Sequence, residues 1–429
     1  MNKTIKKAAR FRGEVKVGAD KSISHRALIF SALATGESII NNFLNAEDTW
    51  ATLNCMRGLG VKIEENQSSL IVKGRGLASL TEAKQVLECG NSGTTMRLLT
   101  GLLAGQDFFS VLTGDRFLNQ RPMSRLIKPL SQMGAEIQAR AGGTHAPLAI
   151  KGTKLRGMTY NSPIASAQVK SALILAGLGA DDATTVIEPH KSRDHTERLL
   201  IAMGANIVEN NLAVTVKPSS KLFPQTIEVP NDISSAAFFM VAASIIPGAE
   251  ILIKNVGINP TRAGIIEVLS AMGVSIKKEN EKTLNGELVA DLLVVGGNLN
   301  SVEIKGEILP RLIDELPVIA VAMAVAQGTS VVKDARELRV KETDRIKAIC
   351  SELSKMGVNI TETEDGFIIE GNYDKLQGAK VDSWGDHRIA MSLAVAGLLA
   401  SGETIITNAQ VVDISFPDFW DKINDLVYY

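Results

Sequence analysis

The stretch Lys21-Ser22-Ile23-Ser24-His25-Arg26-Ala27-Leu28-Ile29-Phe30-Ser31-Ala32-Leu33-Ala34-Thr35-Gly36 begins with polar residues, continues into an apolar run and ends at a glycine. Five other segments repeat this pattern at intervals of roughly 70 to 80 residues, and such a period indicates repeated units. Their openings are Asn91-Ser92-Gly93-Thr94, Ser166-Ala167-Gln168, Asp232-Ile233-Ser234-Ser235, Asp314-Glu315 and Asp386-His387-Arg388, and their closing glycines are Gly105, Gly179, Gly248, Gly328 and Gly402. A polar cap before an apolar run predicts a helix N-terminus at each opening.

A second element recurs between these segments, and it places a glycine between a helix-like stretch and an alternating, strand-like run. The copies are Leu59-Gly60-Val61, Met133-Gly134-Ala135, Met203-Gly204-Ala205, Met272-Gly273-Val274 and Met356-Gly357-Val358. Glycine there predicts the left-handed cap that ends many helices. One unit therefore contains strands, two helices and a hairpin. The sixth unit shows no such element, so we expect residues before Lys21 to supply its strands.

Six units divide into two groups of three, and a lone proline in Val229-Pro230-Asn231 separates the third unit from the fourth. We therefore expect one domain over residues 19–229, with units one to three. The second domain should contain residues 1–18 and 230–429, with units four to six. The N-terminal residues are assigned to the second domain because the first full unit begins only at Lys21.

The composition excludes several classes of function. A net charge of −1 and 4% aromatic residues give neither the basic stripe nor the stacking platform of a nucleic-acid or anionic-membrane partner. Three widely spaced cysteines form no metal-binding pattern and suit a reducing cytosol. The N-terminus lacks the apolar region of a signal peptide. The apolar run Leu316 to Ala326 is much shorter than the roughly 20 residues that span a bilayer.

The openings in the first half contain candidate anion ligands. Lys21 and Arg26 lie at the first opening, where free N–H groups and the helix dipole attract negative charge. The alternative is that Ser22 only caps the helix and Arg26 is a solvated surface residue. Gly93 at the second opening would let a ligand approach the backbone, or would only form a tight turn. Arg121 precedes Pro122 and should be extended, with a free surface arginine as the alternative.

Two further polar segments of the first half, Ser166-Ala167-Gln168 and Ser192-Arg193-Asp194-His195, could bind a ligand or be solvated loops. His195 by itself is more often structural or at the surface than catalytic.

The openings in the second half are acidic. Asp314 lies at a helix start among apolar residues, which would suit a general base or, alternatively, a simple N-cap. Lys341 and Arg345 are four residues apart and would repel each other unless an anion or a carboxylate lies between them. Glu342 and Asp386 are further acid–base candidates, and Arg388 is a further anion ligand. The occurrence of nearly all these residues at equivalent openings of the repeat favours a common site.

At these residues the chain resembles the 5-enolpyruvylshikimate-3-phosphate synthase family, from about residue 10 to residue 420. The segments that carry the resemblance are Lys21-Ser22-Ile23-Ser24-His25-Arg26, Gly90-Asn91-Ser92-Gly93-Thr94, Arg121-Pro122, Ser166-Ala167-Gln168, Asp314-Glu315, Arg339-Val340-Lys341-Glu342-Thr343-Asp344-Arg345, Asp386-His387-Arg388 and Ser415-Phe416-Pro417. The resemblance implies an α/β fold, a two-domain inside-out barrel of six βαβαββ units, three per domain. It also implies an active site in the interdomain cleft, which closes on substrate.

The resemblance further implies an enolpyruvyl transfer from phosphoenolpyruvate to the 5-hydroxyl of shikimate 3-phosphate, with a tetrahedral intermediate and release of phosphate. Asp314, Glu342 and Lys21 would be catalytic. The implied ligands of shikimate 3-phosphate are Lys21, Ser22, Arg26, Ser166, Ala167, Gln168, Arg193, Asp314 and Lys341, and those of phosphoenolpyruvate are Lys21, Gly93, Arg121, Gln168, Arg345 and Arg388. We expect no metal, no organic cofactor, no nucleic acid and no membrane partner, in a cytoplasmic monomer that glyphosate inhibits.

Two positions depart from patterns within the family: Ile414 stands where some members have Lys, and Glu337 where some have Asn. One competing hypothesis is the sister transferase that acts on UDP-N-acetylglucosamine. That family usually has a cysteine in the loop matching Gly114 to Pro122, and this chain has none there. A repeat-built clamp that binds nucleic acid is the other alternative, and the charge and aromatic content argue against it.

Overall fold

The computed structural model describes residues 1–66, 69–219 and 221–429. Short strands alternate with helices throughout these ranges. The strands are β1 (Lys3–Ile5), β2 (Arg10–Val15), β3 (Thr35–Asn41), β4 (Lys62–Asn66), β5 (Ser69–Arg75), β6 (Leu87–Glu88), β7 (Phe109–Thr113), β8 (Glu136–Ala139), β9 (His145–Lys151), β10 (Thr159–Asn161), β11 (Thr184–Ile187), β12 (Ile207–Asn210), β13 (Ala213–Val216), β14 (Thr226–Glu228), β15 (Glu250–Gly257), β16 (Ser275–Leu284), β17 (Glu287–Val295), β18 (Glu303–Ile304), β19 (Gly328–Val332), β20 (Asn359–Glu362), β21 (Phe367–Gly371), β22 (Lys380–Asp382), β23 (Thr404–Thr407) and β24 (Val427–Tyr428).

The six repeated openings each lead into a helix, as the sequence predicts. The helices are α1 (Lys21–Leu33), α2 (Glu47–Gly58), α3 (Gly93–Ala104), α4 (Ser124–Gln132), α5 (Arg140–Gly143), α6 (Ala167–Leu178), α7 (His195–Ala202), α8 (Ile233–Ile245), α9 (Gly264–Ala271), α10 (Leu316–Val325), α11 (Arg345–Lys355), α12 (His387–Leu399) and α13 (Phe419–Asn424). Those that follow the openings are α1, α3, α6, α8, α10 and α12. In the described ranges no helix is both long enough and apolar enough to cross a membrane.

The described strands form six small sheets, and five of them share one arrangement: a parallel pair joined to an antiparallel hairpin. In the second repeat, for example, β6 runs parallel to β7, and β7 pairs with the hairpin of β8 and β9. The orders are β14-β3-β5-β4, β6-β7-β9-β8, β10-β11-β13-β12, β16-β17-β15-β2-β24, β18-β19-β21-β20 and β1-β23-β22. The repeat in the sequence is therefore a repeat of β-sheets, each with one of the six helices that follow the repeated openings. These six helices are called inner helices here.

The sixth sheet is completed by the N-terminal strand. β1 pairs antiparallel with β23, with Lys3 opposite Ile406 and Ile5 opposite Thr404. The expectation that residues before Lys21 complete the sixth unit is therefore confirmed for β1. Two other strands pair with a sheet other than that of the strand that follows them in the chain. β2 precedes α1 but pairs with β15, whereas β14 precedes α8 but pairs with β3.

The described residues divide into two compact units, which are not to be confused with the six repeat units of the sequence. The unit called N-terminal here contains Ala19–Val229 and the short segment Leu284–Glu287, and the unit called C-terminal contains Met1–Gly18, Pro230–Thr283 and Leu288–Tyr429. Each unit contains three of the sheets and three of the inner helices. The segment Leu284–Glu287 runs from the last residue of β16 to the first residue of β17.

In the N-terminal unit, α1, α3 and α6 form the centre, and their central residues are buried on all sides. A helix that is apolar all round is stable only inside the protein, which explains why the sheets lie outside these helices. Gly101 of α3 shows how closely two of them pack. A Cβ atom at this position would lie 2.2 Å from the carbonyl oxygen of Ala172 in α6, so only glycine permits this approach.

The C-terminal unit repeats this arrangement with α8, α10 and α12, in which every residue is buried. Phe238 and Phe239 of α8 pack edge-on against Phe419, which closes one side of the core. The helices that precede the glycines of the second sequence element, called outer helices here, end as the sequence predicts. Each of the five glycines of the second sequence element has a positive φ, between 84° and 103°, which confirms the left-handed caps.

Candidate active site

The predicted site residues fall into two groups, one in each unit. Lys21, Ser22, Arg26, Gly93, Arg121, Ser166, Ala167, Gln168 and Arg193 belong to the N-terminal unit, and Asp314, Lys341, Glu342, Arg345 and Arg388 belong to the C-terminal unit. In the N-terminal group most of these residues lie at or beside the first turns of inner helices, and in the C-terminal group Asp314 and Arg388 do, whereas Arg345 begins α11.

Lys21 is the first residue of α1, and its Nζ lies 2.9 Å from Oδ2 of Asp48 on α2. The residue that caps α1 is Asp20, which accepts a hydrogen bond from the backbone N–H of Ile23 at 2.8 Å. The alternative role of Ser22 as the N-cap is therefore wrong. Its side chain is only partly buried and remains available at the helix N-terminus.

Arg26, one turn further along α1, is buried, so the alternative of a solvated surface arginine is also wrong. Its guanidinium donates to Oγ1 of Thr196 at 2.7 Å, to Oγ of Ser171 at 2.8 Å and to the carbonyl oxygen of Ser22 at 3.0 Å. Burial lowers the pKa of Arg26 to about 10, although the charges of Glu197 and Asp20 oppose this shift. Three neutral partners thus hold this cation, and among the described residues no carboxylate is bonded directly to it.

A second group surrounds Gly93 at the start of α3, where Ser92 caps the helix. Arg121 is extended, as predicted, with φ −77° and ψ 138°, and it donates to Oδ1 of Asn91 at 2.6 Å. Gln168 of α6 accepts a hydrogen bond from Arg97 at 2.5 Å and donates to Oγ1 of Thr94 at 2.9 Å. The structure therefore brings together two arginines, an amide and a glycine backbone, as anion recognition requires.

Ser166 caps α6 through the N–H of Val169 at 3.5 Å, so Ala167 is the first residue of that helix. Arg193 lies two residues before α7 and is partly buried. Its charge lowers the pKa of Arg26, after the larger effect of burial, which puts both cations in one electrostatic environment. His195 is structural, as expected: it is buried, and its Nδ1 lies 2.7 Å from Oε1 of Glu287.

In the C-terminal unit, the buried guanidinium of Arg345 is the centre of the site. It donates to Oδ2 of Asp386 at 2.7 Å, to Oε2 of Glu342 at 2.6 Å and to Oδ1 of Asp314 at 3.2 Å. Burial opposes its positive charge, but the charges of Asp386, Glu342 and Asp314 outweigh that cost and raise the pKa of Arg345. Three carboxylates thus converge on one arginine at the N-termini of α10, α11 and α12.

Asp314 is surrounded by cations. Besides Arg345, Lys341 lies 3.8 Å from its Oδ1, and Arg388 lies 4.0 Å from its Oδ2. The expectation of an apolar environment is therefore wrong. The apolar residues that follow Asp314 in the sequence, from Leu316 onward, form α10 and are buried there. The N-cap alternative is also wrong: Glu315 has that position and makes no side-chain cap bond.

Lys341 and Arg345 do have a carboxylate between them, namely Asp314, as the sequence argument required. Their spacing is not helical, however. Lys341 ends the short turn Arg336–Val340, and α11 begins only at Arg345. In the described residues, no group of His, Cys, Asp and Glu could hold a metal ion.

A model of the EPSP synthase family (3-phosphoshikimate 1-carboxyvinyltransferase) matches residues 5–423 of this chain. The chain belongs to the EPSP synthase family. It is 60% identical over 415 residues to the 3-phosphoshikimate 1-carboxyvinyltransferase of Syntrophomonas wolfei, with 97% of both chains covered. It is 53% identical to the enzyme of that name from Syntrophotalea carbinolica, with 99% of both covered.

A solved structure of EPSP synthase from Acinetobacter baumannii is 43% identical to this chain, with a TM-score of 0.89. The match covers 99% of this chain and 98% of that one. The two-domain inside-out fold of the family, with six repeated units, is therefore the fold of this chain as well. EPSP synthases transfer the enolpyruvyl group of phosphoenolpyruvate to shikimate 3-phosphate in the shikimate pathway.

Several residues around the candidate site of this EPSP synthase family member were missed by the sequence reasoning. Asp48 on α2 and Thr196 on α7 hold Lys21 and Arg26, but both lie on outer helices, which are not among the six repeated openings. Arg97 had a usable signal, because it lies one turn after Gly93 on α3. Of the two departures from the family, Glu337 lies in the turn before Lys341, and Ile414 ends the turn Ala409–Ile414.

Proposed function

We propose that this chain catalyses the reaction of its family, the transfer of the enolpyruvyl group of phosphoenolpyruvate to the 5-hydroxyl of shikimate 3-phosphate, with release of phosphate. The observation that carries this proposal is the arrangement around Asp314: one carboxylate with Lys341, Arg345 and Arg388 within 4.0 Å. A base among cations suits a reaction in which a hydroxyl is deprotonated beside polyanionic substrates.

Shikimate 3-phosphate is an anion, and the proposed ligands include the N-terminal turns of α1 and α6, where free N–H groups attract phosphate and carboxylate. The full proposed set is Lys21, Ser22, Arg26, Ser166, Ala167, Gln168, Arg193, Asp314 and Lys341. Buried Arg26 supports this assignment, because three neutral groups already fix its orientation and its charge remains available to the phosphate.

Phosphoenolpyruvate has a phosphate and a carboxylate, each of which matches the fork of an arginine. The proposed ligands are Lys21, Gly93, Arg121, Gln168, Arg345 and Arg388. The hydrogen bond from Arg121 to Asn91 supports this role, because a neutral amide orients the guanidinium without neutralising it.

In the proposed mechanism, Asp314 accepts the proton of the 5-hydroxyl as the oxygen bonds to C2 of phosphoenolpyruvate and C3 gains a proton. The tetrahedral intermediate then loses a proton from C3 and phosphate from C2, which restores the double bond. Lys21 and Glu342 would transfer the protons at C3 and at the departing phosphate. Cations fixed before the reaction stabilise the charges that develop, and no step requires a metal or an organic cofactor.

The proposal includes a monomer in the cytoplasm. The three cysteines are unpaired, buried thiols, which supports the cytoplasmic location because that compartment is reducing. A coupled phosphate-release assay tests the function. We expect release only when phosphoenolpyruvate and shikimate 3-phosphate are both present. Release with UDP-N-acetylglucosamine in place of shikimate 3-phosphate would overturn the assignment.

A further inference from the structure

A buried ionic cluster lies beside the proposed shikimate 3-phosphate ligands but contains none of them. Lys170 of α6 has its Nζ 2.8 Å from Oε2 of Glu188 and 2.8 Å from Oε1 of Glu197 on α7. All three side chains are at most 3% exposed. Burial opposes the charge of Lys170, but Glu197 and Glu188 outweigh it and raise its pKa. The two glutamates therefore stabilise the charged form of the lysine.

Glu188 also binds the backbone of two separate loops. Its Oε1 accepts the N–H of Ser166 at 3.2 Å, and its Oε2 accepts the N–H of Ser192 at 3.2 Å. Lys170 adds a bond from its Nζ to the carbonyl oxygen of Ser192 at 3.3 Å. One loop leads into Ser166-Ala167-Gln168, and the other leads directly into Arg193. A single carboxylate thus fixes the backbone at both ends of a proposed phosphate site.

The neighbouring residues connect the same two helices to Arg26. Ser171 follows Lys170, and Thr196 precedes Glu197. Their hydroxyls lie 2.6 Å apart, and both accept hydrogen bonds from Arg26. A shift of α6 against α7 would therefore move Ser166, Arg193 and Arg26 together. Charge-assisted bonds that are shielded from water resist such a shift better than bonds at the surface.

We propose that Glu188 is a positioning residue that sets the spacing between Ser166 and Arg193 for the phosphate group of shikimate 3-phosphate. It acts through the backbone, because both of its oxygens already have partners within the protein. This inference rests on the proposed function. It extends that function by assigning the selection of phosphorylated over unphosphorylated shikimate to a residue that does not touch the substrate.

The test compares Glu188→Gln with wild type on shikimate 3-phosphate and on shikimate, which lacks the phosphate. Gln removes one acceptor oxygen, so kcat/KM for shikimate 3-phosphate should fall roughly tenfold or more, the value of about one such hydrogen bond. The fall should arise mainly from KM for shikimate 3-phosphate. kcat/KM for shikimate should change less than about threefold, since its binding does not use the phosphate site.

Glu188→Asp is the second variant, because it keeps the negative charge beside Lys170 and shortens the reach to the two loops. Glu136→Gln is the control, because it removes an equal charge from an exposed ion pair, 3.2 Å from Lys151. It should change kcat/KM for neither substrate. Equal losses for both substrates, or no loss in a folded variant, would overturn the positioning role. If wild type itself releases no phosphate, the proposed function fails instead, so the two failures are distinguishable.

Discussion

At the scale of single residues, Asp314 combines the charge of a base with a fixed position among three cations. We predict that Asp314→Asn keeps affinity for shikimate 3-phosphate within about tenfold, because the amide oxygen still accepts from Arg345. Turnover should fall by roughly 10²–10⁴, the usual contribution of a general base. Steady-state kinetics and direct binding measurements separate the two effects.

Asp291→Asn is the matched control for that experiment. Asp291 lies on β17 of the same unit and pairs with Lys254 at 2.8 Å, outside the cluster around Arg345. The control should retain full turnover. Turnover of Asp314→Asn within a few-fold of wild type would remove Asp314 from the mechanism.

Gly93 has little free space above its Cα atom. An added Cβ would lie 2.6 Å from Nη1 of Arg97 and 3.2 Å from Nη1 of Arg121, so both guanidinium groups would have to shift. The resemblance implies that glyphosate, which is longer than phosphoenolpyruvate, occupies the same pocket. We predict that glyphosate competes with phosphoenolpyruvate and that Gly93→Ala raises Ki for glyphosate far more than KM for phosphoenolpyruvate. An equal change in both constants would contradict this reading of the pocket.

His25 is a buried histidine on α1, and its Nδ1 lies 2.6 Å from Oγ1 of Thr52. Burial, followed by the charges of Lys21 and Arg26, lowers its pKa well below the usual value of 6.5. In the unfolded chain His25 binds a proton as pH falls through about 6.5, while the folded protein does not. Stability should therefore fall with pH below that value, until the pH passes the lower pKa of the folded state.

We expect this histidine to contribute at most about 1.4 kcal/mol per pH unit to the slope of unfolding free energy against pH. His25→Gln removes the titrating group and keeps a polar partner for Thr52. Urea unfolding of both proteins between about pH 7.5 and pH 5 checks the prediction. The variant should show the shallower slope, and parallel slopes would contradict it.

At the scale of elements, two glycines that follow helices offer a direct comparison of backbone conformation. Gly134 has φ +97° and only the carbonyl oxygen of Lys154 near an added Cβ, at 3.9 Å. Gly179 has φ −106° and no atom within 4 Å of that position. Both sites have room for alanine, so they differ mainly in the left-handed strain that L-residues experience.

We predict that Gly134→Ala lowers the free energy of unfolding by about 1–2 kcal/mol, the cost of a left-handed L-residue. Gly179→Ala should be neutral or stabilising by up to about 1 kcal/mol, because alanine restricts the unfolded chain. Chemical denaturation of the two variants measures the difference. Equal effects would show that conformation does not decide the residue at the end of α4.

These elements also show what the sequence could and could not predict. The apolar inner helices and the five capping glycines were predictable, because each depends on a local pattern that recurs with the repeat. The partners of Lys21 and Arg26 were not, because Asp48, Thr196 and Ser171 approach from other helices through packing. The cationic surroundings of Asp314 depend on the folded positions of Lys341 and Arg388, which no local spacing reveals.

At the scale of the whole molecule, the exchange of β2 and β14 between sheets could not be predicted, since each strand pairs with a sheet that its place in the chain does not suggest. The closure of the sixth sheet by β1 was predictable, because counting the units left one incomplete. The two ends of the chain meet in the C-terminal unit, where β1 pairs with β23 and β2 pairs with β24.

Closure by the N-terminal strand predicts a stability cost for removing it. Deletion of residues 2–6 removes β1 together with Ile5, which is 4% exposed and packs beside Gly397 of α12. The free energy of unfolding should fall by at least about 2 kcal/mol, the value of one buried isoleucine, and amides of β23 should lose protection from hydrogen exchange. Deletion of Tyr429, which is 69% exposed, is the control and should change neither measurement. If β23 keeps its protection after the N-terminal deletion, the sixth unit does not depend on β1, and the repeat closes without it.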